Sequence, residues 1–185
     1  KLIFSDTETT GKDQKDFIQI IQSASVLTDQ DYNIQDSMNV SCAPLPWVVP
    51  SPGAYLTHKK IETLSSSDTH YQMMKTIHDQ WKNWSNDDPA IFITYNGHNF
   101  DEELYRRQFF WNLMDPFVTN TNGNGRSDLL MLTRLVSQLF PKMLDFEINA
   151  NGHPVCSLSS VAERIGIDTA NAHDALSDCI FMIEL

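Results

Sequence analysis

The order of strand-like and helix-like segments most constrains the fold of this 185-residue chain. Three strand-like segments come first, LIFSD (2–6), FIQIIQSASVLTD (17–29) and IQDSMNVSC (34–42), and the polar turn DQDYN separates the second from the third. This spacing predicts a meander of antiparallel strands. A compact strand, AIFITY (90–95), follows a segment with helical periodicity, so we expect it to lie parallel to the first strand.

Helical periodicity marks much of the remaining chain. Apolar residues recur at helical spacing between residues 71 and 84, namely Met74, Ile77, Trp81 and Trp84. Further helices are expected over 101–113, 129–140, 157–167 and 173–185, with Gly166 near the end of the third of these segments. Strands first, and then helices alternating with one further strand, predict an α/β fold in which a mixed β-sheet is flanked by helices.

Other segments are predicted to be irregular. APLPWVVPSPG (43–53) holds four prolines, which exclude a regular helix and an inner strand. TNTNGNGRS (119–127) is typical of a flexible loop, and PKMLDFEINANGHPVCS (141–157) of an irregular connection. We therefore expect the core to come from the strands and helices named above.

Size and composition indicate one globular domain, residues 1–185, with a sizeable core. No apolar run approaches the roughly 20 residues that span a bilayer, and LIF is too short for the apolar region of a signal peptide, so no membrane is expected. Three scattered cysteines, Cys42, Cys156 and Cys179, argue against a disulfide framework or a zinc cluster and favour a reducing, cytoplasmic location. Because the chain begins with Lys1 and stops within a helix-like segment, we expect an N-terminal fragment of a longer protein. A monomer is the default expectation for a fragment of this kind.

The net charge of −11 disfavours general high-affinity binding of nucleic acid by this chain alone. Phosphate groups are normally bound by Lys and Arg side chains. Metal ions would cancel part of the negative charge, and we expect any basic groove to be weak or to be supplied by another part of the protein.

Four carboxylates and one histidine are the candidate functional residues: Asp6, Glu8, Asp101, His173 and Asp178. Asp6 and Glu8 follow the apolar LIF segment, and side chains at i and i+2 of a strand point to the same face. Two neighbouring carboxylates at the end of a buried strand are costly without a cation. Acids that converge from distant parts of a chain repel one another unless divalent metal ions lie between them, and such a site suits phosphodiester hydrolysis.

Each of these residues also has an ordinary structural explanation. Asp6 and Glu8 fit a polar strand end, and an acid such as Asp101 favours the start of a helix. His173 fits a histidine at a helix start that is hydrogen-bonded to the backbone, and Asp178 fits a solvated helix position. Because the two are five residues apart and would not share a helix face, we expect His173 in the loop or first turn and Asp178 one turn further in. It is the complete set that points to a functional site.

Taken together, in this order, the five residues resemble the DEDDh (DnaQ-like) family of 3′–5′ exonucleases, which has a ribonuclease H-like fold. The segments DTETTG, PSPGAYL, YNGHNFDEELYRRQFFWNLMDPF, RSDLLMLTRL and NAHDALSD further resemble the nuclease domain of bacterial exonuclease I, which degrades single-stranded DNA. This resemblance extends over the whole chain, loops included. It implies a 3′–5′ exodeoxyribonuclease whose partners are the 3′ end of single-stranded DNA and, through further domains, a single-stranded DNA-binding protein.

The resemblance also implies the role of each site residue. Asp6, Glu8 and Asp178 would ligate two Mg²⁺ or Mn²⁺ ions, and Asp101 would hold the second ion directly or through water. His173 would be the general base and, with Glu8, the catalytic pair. Oxygen ligands suit Mg²⁺ or Mn²⁺ better than zinc, which usually recruits His or Cys. The expected product is a 5′-nucleoside monophosphate.

Contacts to the substrate are implied for Thr9, Asn96, Phe100 and Arg126. The family places a contact to the terminal 3′ hydroxyl at the position of Thr9. Arg126 either touches a phosphate or pairs with one of the chain's many acids. The chain departs from the family after PSPGAYL, where Thr57-His58-Lys59 stands in place of the usual Thr-Gly turn near the substrate. Asp128 matches a family position and equally fits a helix start.

Alternative functions follow from the same residues. A DEDDh exoribonuclease or a proofreading-type exonuclease would need the same catalytic set, because the sugar is read through its 2′-OH and no motif here reports that contact. A non-catalytic nucleic-acid-binding module would usually lack one of the five residues. A protein-interaction domain would use the surface around Trp47 and the proline-rich segment.

Overall fold

The computed structural model describes residues 1–12, 17–170 and 172–185. Within these residues one sheet contains five strands: β1 Leu2–Thr9, β2 Ile20–Thr28, β3 Ile34–Ser41, β4 Ile91–Thr94 and β5 Gly125–Asp128. The same residues form the α-helices α1 Pro52–His58, α2 His70–Ser85, α3 Asp101–Trp111, α4 Leu129–Leu139, α5 Leu158–Arg164 and α6 Ala175–Glu184. A 3-10 turn, Ile61–Ser65, follows α1. No helix among the described residues is both long and apolar enough to cross a membrane.

The sheet is mixed, and its strand order is β3-β2-β1-β4-β5. The pairs β1–β2 and β2–β3 are antiparallel, whereas β1–β4 and β4–β5 are parallel. The predicted α/β fold, an antiparallel meander extended by parallel strands, is therefore confirmed. Because β1 is the central strand, the residues at its C-terminal end lie midway along the end of the sheet at which β1 and β4 terminate.

Alternating side chains of β1 divide the core into two clusters. Ile3 belongs to a cluster that includes Trp81 of α2 and Phe109 of α3. Phe4, its neighbour, belongs to the other cluster, with Cys179 of α6. Since successive residues of a strand face opposite sides, α6 covers the face of β1 that carries Phe4.

Two expectations about irregular segments were wrong. The end of TNTNGNGRS enters β5, which pairs with β4 from Gly125 opposite Ile91 to Asp128 opposite Thr94. This strand is short and polar, so its conformation comes from its partner strand rather than from its own pattern. The proline-rich segment contains the start of α1, with Pro52 in the first turn, where a missing N–H breaks no helical hydrogen bond.

The turn between β4 and α3 requires a glycine. A Cβ at Gly97 would lie 2.4 Å from Oγ1 and 2.5 Å from Cβ of Thr94. We expect Gly97→Ala to displace this turn and to lower the free energy of unfolding by about 1–3 kcal/mol, the usual cost of overpacking. Chemical denaturation measures this loss, with Gly125→Ala as the control because no described atom lies within 4 Å of its added Cβ. Equal stability of the two variants would contradict the expected clash.

Candidate active site

Three carboxylates meet at the C-terminal end of β1. Asp6 and Glu8 share the face of this strand with Phe4, and α6 covers that face. Helix α6 contributes Asp178 from its first turn. A carboxylate oxygen from each of Asp6, Glu8 and Asp178 lies within 4.8 Å of those of the other two. These three residues, called the carboxylate cluster below, join the two ends of the chain in one site.

Asp101 lies beside the carboxylate cluster. It is the first residue of α3 and is 6% exposed, and its Oδ1 accepts a hydrogen bond from the Thr7 hydroxyl. Burial is the main reason why the pKa of Asp6 is raised, and the charge of Asp101 is the next. Asp101 is therefore hydrogen-bonded to β1 and is close enough to the carboxylate cluster for its charge to affect Asp6. It is also the first residue of a helix.

Burial and mutual repulsion make these acids difficult to ionise. Burial raises the pKa of Asp6 well above its usual value, and the neighbouring acids raise it further. Burial and then the charge of Asp178 raise the pKa of Glu8 to about 8, although the charge of Lys60 opposes this rise. Burial also raises the pKa of Asp178 and that of Asp101 to about 6 each. A cation bound at this site would therefore stabilise the ionised forms of these acids.

The donor set of the carboxylate cluster fits a hard divalent cation. Every donor of the cluster is a carboxylate oxygen, from Asp6, Glu8 and Asp178. Mg²⁺ and Mn²⁺ favour oxygen ligands. A cation held by these residues would replace the mutual repulsion of their carboxylates with attraction, which would offset the cost of burying several acids together.

We expect the metal-free protein to become less stable as the pH rises from about 4.5 to about 8. In this window the folded protein keeps protons on Glu8 and its acidic neighbours that the unfolded chain has already released. Because the folded state binds more protons than the unfolded chain in this window, the free energy of unfolding falls as the pH rises through the raised pKa values. Melting temperatures in EDTA and in Mg²⁺, at about pH 6 and about pH 8, test this, and Mg²⁺ should stabilise more at the higher pH.

The control for this prediction removes an acid outside the site. Asp145→Asn, which loses an exposed carboxylate paired with Arg164 at 3.2 Å, should keep the pH dependence of the parent. Asp178→Asn should reduce the pH dependence, because it removes one of the repelling charges. An equal effect of Mg²⁺ at both pH values in the parent would contradict the prediction.

His173 lies in the loop directly before α6. Its φ of 68° is in the left-handed region, and its side chain is exposed. Although burial raises the pKa of Asp178, the charge of His173 and a hydrogen bond from its backbone act against this rise. His173 therefore lies next to the carboxylate cluster, while Asp178 follows on the helix, as the five-residue spacing predicts.

A cleft of about 310 Å³ opens beside Glu8 and is lined by Thr9 and Phe100, among others. The Thr9 hydroxyl donates a hydrogen bond to the Gly11 carbonyl at 2.7 Å, and Phe100 is half-buried at the start of α3. Two of the four predicted substrate contacts are thus brought together next to a cluster residue.

The other two predicted contacts lie elsewhere. Asn96 lines a separate cleft of about 730 Å³ next to α4, and its backbone N–H donates to Asp128 at 2.8 Å. The Nε of Arg126 lies 3.0 Å from Oε2 of Glu102 and donates to Thr119 at 2.7 Å. Arg126 therefore pairs with an acid, and its contact with phosphate stays a prediction. Asp128 caps α4 through the Leu130 N–H, in addition to holding the turn at Asn96.

Sequence reasoning missed the polar residues around Glu8. Asp174 caps α6 and pairs with Lys60, and its Oδ1 also accepts a hydrogen bond from Gln22. His58 is buried and contacts the Thr9 carbonyl. The available signal was the Thr57-His58-Lys59 departure, which ends α1 with Lys59 in the left-handed conformation that glycine adopts most easily.

Known proteins are similar to this chain in sequence and in fold. A model of the RNase_T family, described as Exonuclease, matches residues 3–185. Exodeoxyribonuclease I of Buchnera aphidicola subsp. Schizaphis graminum is 32% identical over 189 residues, 99% of this chain and 38% of that protein. The structure of Escherichia coli exonuclease I in complex with a dT13 oligonucleotide matches with a TM-score of 0.89 and 28% identity, over 99% of this chain and 39% of that chain. A zinc-ion-bound form of the E. coli exonuclease I–single-stranded DNA complex matches with a TM-score of 0.88 and 27% identity, with the same coverage.

The length of the match differs between this chain and its relatives. The chain is covered almost completely, whereas it spans 38% of the Buchnera protein and 39% of the E. coli chain. The shared part includes all the residues of the carboxylate cluster, together with Asp101 and His173, because the family match runs over residues 3–185.

Proposed function

This chain belongs to the RNase_T exonuclease family, and we propose that it hydrolyses single-stranded DNA from the 3′ end and releases 5′-mononucleotides. The observation that carries this proposal is the convergence of Asp6, Glu8 and Asp178, with Asp101 beside them. The DNA substrate is supported by E. coli exonuclease I, whose similar fold was determined with a dT13 oligonucleotide.

The carboxylate cluster would hold two divalent cations, Mg²⁺ or Mn²⁺. Asp6, Glu8 and Asp178 would supply oxygen ligands, and Asp101 would hold the second ion directly or through water. When bound, such ions stabilise the charge on the attacking and leaving oxygens of a phosphodiester. The zinc-ion-bound form of the E. coli complex supports a site for divalent cations in this fold.

His173 would act as the general base. Histidine is the side chain best suited to accept a proton at neutral pH, and His173 lies exposed beside Asp178, where a water molecule has access. As the water loses its proton to the ring, its oxygen bonds to phosphorus and the bond to the 3′ oxygen breaks. That oxygen takes up a proton from solvent and becomes the 3′ hydroxyl of the shortened strand, and the terminal nucleotide leaves as a 5′-monophosphate. The ring then releases the proton that it accepted to solvent.

The cleft beside Glu8 would receive the terminal nucleotide. Thr9 would contact its 3′ hydroxyl, and Phe100 offers an aromatic ring for stacking, which is worth roughly 1–3 kcal/mol per base. Asn96 and Arg126 would contribute through the turn before α3 and through a phosphate, respectively. The monomeric state and a single-stranded DNA-binding protein as partner stay predictions of the family resemblance.

A direct test uses a 5′-labelled single-stranded DNA oligonucleotide with Mg²⁺ or with chelator, followed on a sequencing gel. A metal-dependent ladder that shortens from the 3′ end is the expected result. If the matched RNA oligonucleotide is cleaved and the DNA oligonucleotide stays intact, the result would instead favour an exoribonuclease. If the protein binds an oligonucleotide after the divalent metal is chelated, and cleaves neither the DNA nor the RNA, the result would contradict the enzyme proposal and favour a non-catalytic binding module.

A further inference from the structure

A lysine lies at the edge of the carboxylate cluster, outside the chemistry described above. Its Nζ lies 2.5 Å from Oδ1 of Asp174, and the side chains of Lys60 and Asp174 are 18% and 28% exposed. The charge of Lys60 also acts on Glu8, where it opposes the effect of burial on the pKa. The ion pair joins the loop after α1 to the residue that caps α6.

The backbone of Lys60 is anchored to the end of β1. Its N–H donates to Nδ1 of His58 at 3.0 Å, and its carbonyl accepts from the Thr63 hydroxyl at 2.6 Å. Because Nδ1 of His58 is an acceptor, Nε2 carries the proton and donates to the Thr9 carbonyl at 3.2 Å. Lys60 is thus connected, through one buried imidazole, to the strand residue next to Glu8.

Asp174 is anchored to the other side of Glu8. Its Oδ1 accepts a hydrogen bond from Nε2 of Gln22 at 3.2 Å, and Gln22 is directly opposite Glu8 in the register of β1 and β2. Its Oδ2 accepts from the N–H and the hydroxyl of Ser177, at 3.2 and 3.1 Å. The ion pair therefore closes a path of hydrogen bonds from β1 through the loop after α1 to α6 and β2.

This path ends at the residue that follows the proposed base. His173 has a φ of 68°, a conformation that costs free energy in residues other than glycine and persists where the surroundings impose it. The His173 side chain is exposed, so its position depends on how the adjacent backbone is held. Asp174 is the next residue, and Lys60, Gln22 and Ser177 fix its carboxylate.

We propose that Lys60 is a positioning residue: its ion pair with Asp174 holds the segment that carries His173 in the geometry for proton transfer. This inference rests on the proposed function. The geometry favours positioning over a role limited to stability, because Lys60 connects residues around the site and makes no hydrogen bond to the apolar core in the described part of the chain. Removing the pair should affect the rate of the chemical step more than the binding of DNA.

The test compares Lys60→Ala, Lys60→Arg and Asp174→Asn with the parent in steady-state hydrolysis of a fluorescent single-stranded DNA in Mg²⁺. Asparagine at 174 keeps a side-chain acceptor for the α6 cap but loses the ion pair. Lys75→Ala is the control, because Lys75 forms an exposed pair with Asp79 on α2. Hydrogen–deuterium exchange of residues 172–178 is measured in the same variants, and it needs no activity.

We expect Lys60→Ala to lower kcat roughly tenfold with KM within about twofold, because small displacements of a catalytic group are costly. Lys60→Arg should retain most of the parent's kcat. The double variant Lys60→Ala, Asp174→Asn should have a kcat no lower than that of the poorer single variant. Hydrogen–deuterium exchange in 172–178 should increase only in the variants that lose the ion pair. A raised KM with a reduced salt dependence would make Lys60 a phosphate contact and overturn the proposal. Unchanged exchange would also overturn it. A parent that cleaves no DNA would contradict the proposed function, while the exchange data still decide whether Lys60 holds the segment.

Discussion

Asp178→Asn is expected to abolish DNA hydrolysis while the fold survives. The substitution removes one carboxylate of the cluster, so several kcal/mol of transition-state stabilisation are lost, which corresponds to about 10³-fold or more in kcat. Asparagine has almost the same volume as aspartate, and Asp178 is half-buried, so the packing of α6 against β1 and β2 is retained. Gel-based hydrolysis in Mg²⁺ measures the loss.

Measurements of stability distinguish the loss of a proposed metal ligand from the loss of the fold. In EDTA, Asp178→Asn should melt at or above the temperature of the parent, because it removes a charge that repels Asp6 and Glu8. In Mg²⁺ its stabilisation should be smaller than that of the parent. Asp145→Asn makes the same change in net charge on the surface and should leave both properties unchanged. Turnover of Asp178→Asn comparable to that of the parent would exclude a role as metal ligand.

The architecture was predictable where the local pattern and the packing agree. The apolar β1 and β2 and the periodic α2 have patterns that reflect their burial, and the parallel position of β4 followed from its connection through a helix. The strand β5 was not predictable, because GRSD is short and polar and becomes a strand only through pairing with β4. Helix α1 was not predicted, because the prolines at and before its first turn indicate irregular structure when the sequence is considered alone.

The site shows the same division. Asp6 and Glu8 were predictable as neighbours because strand alternation puts them on one face, and the roles within the complete set depended on the resemblance to a known family. Contacts such as that between Lys60 and Asp174 join residues that are 114 positions apart, and neither residue stands in a pattern that specifies its partner. Asp128 illustrates a different difficulty. In the structure its carboxylate caps α4 and also accepts a hydrogen bond from the turn at Asn96, whereas the sequence alone did not distinguish a helix cap from a site residue.

His173→Ala is expected to lower kcat by about 10²–10⁴-fold, the usual contribution of a general base. The exposed ring contributes little to packing, so the free energy of unfolding should hardly change. The carboxylates of Asp6, Glu8 and Asp178 remain in place, so the increase in melting temperature with Mg²⁺ should match that of the parent. Single-turnover hydrolysis at saturating enzyme isolates the chemical step from DNA binding.

The control for this variant is His153→Ala, which removes an exposed histidine of the segment between α4 and α5 and should leave the rate unchanged. Two results would contradict the assignment of His173 as the base. If the variant loses its response to Mg²⁺ along with its activity, His173 acts as a metal ligand. If the rate falls by less than about tenfold, the proton is accepted elsewhere, since a general base contributes more than this. Loss of the chemical step with retained Mg²⁺ binding is the result that assigns proton transfer to His173 and metal binding to the carboxylates.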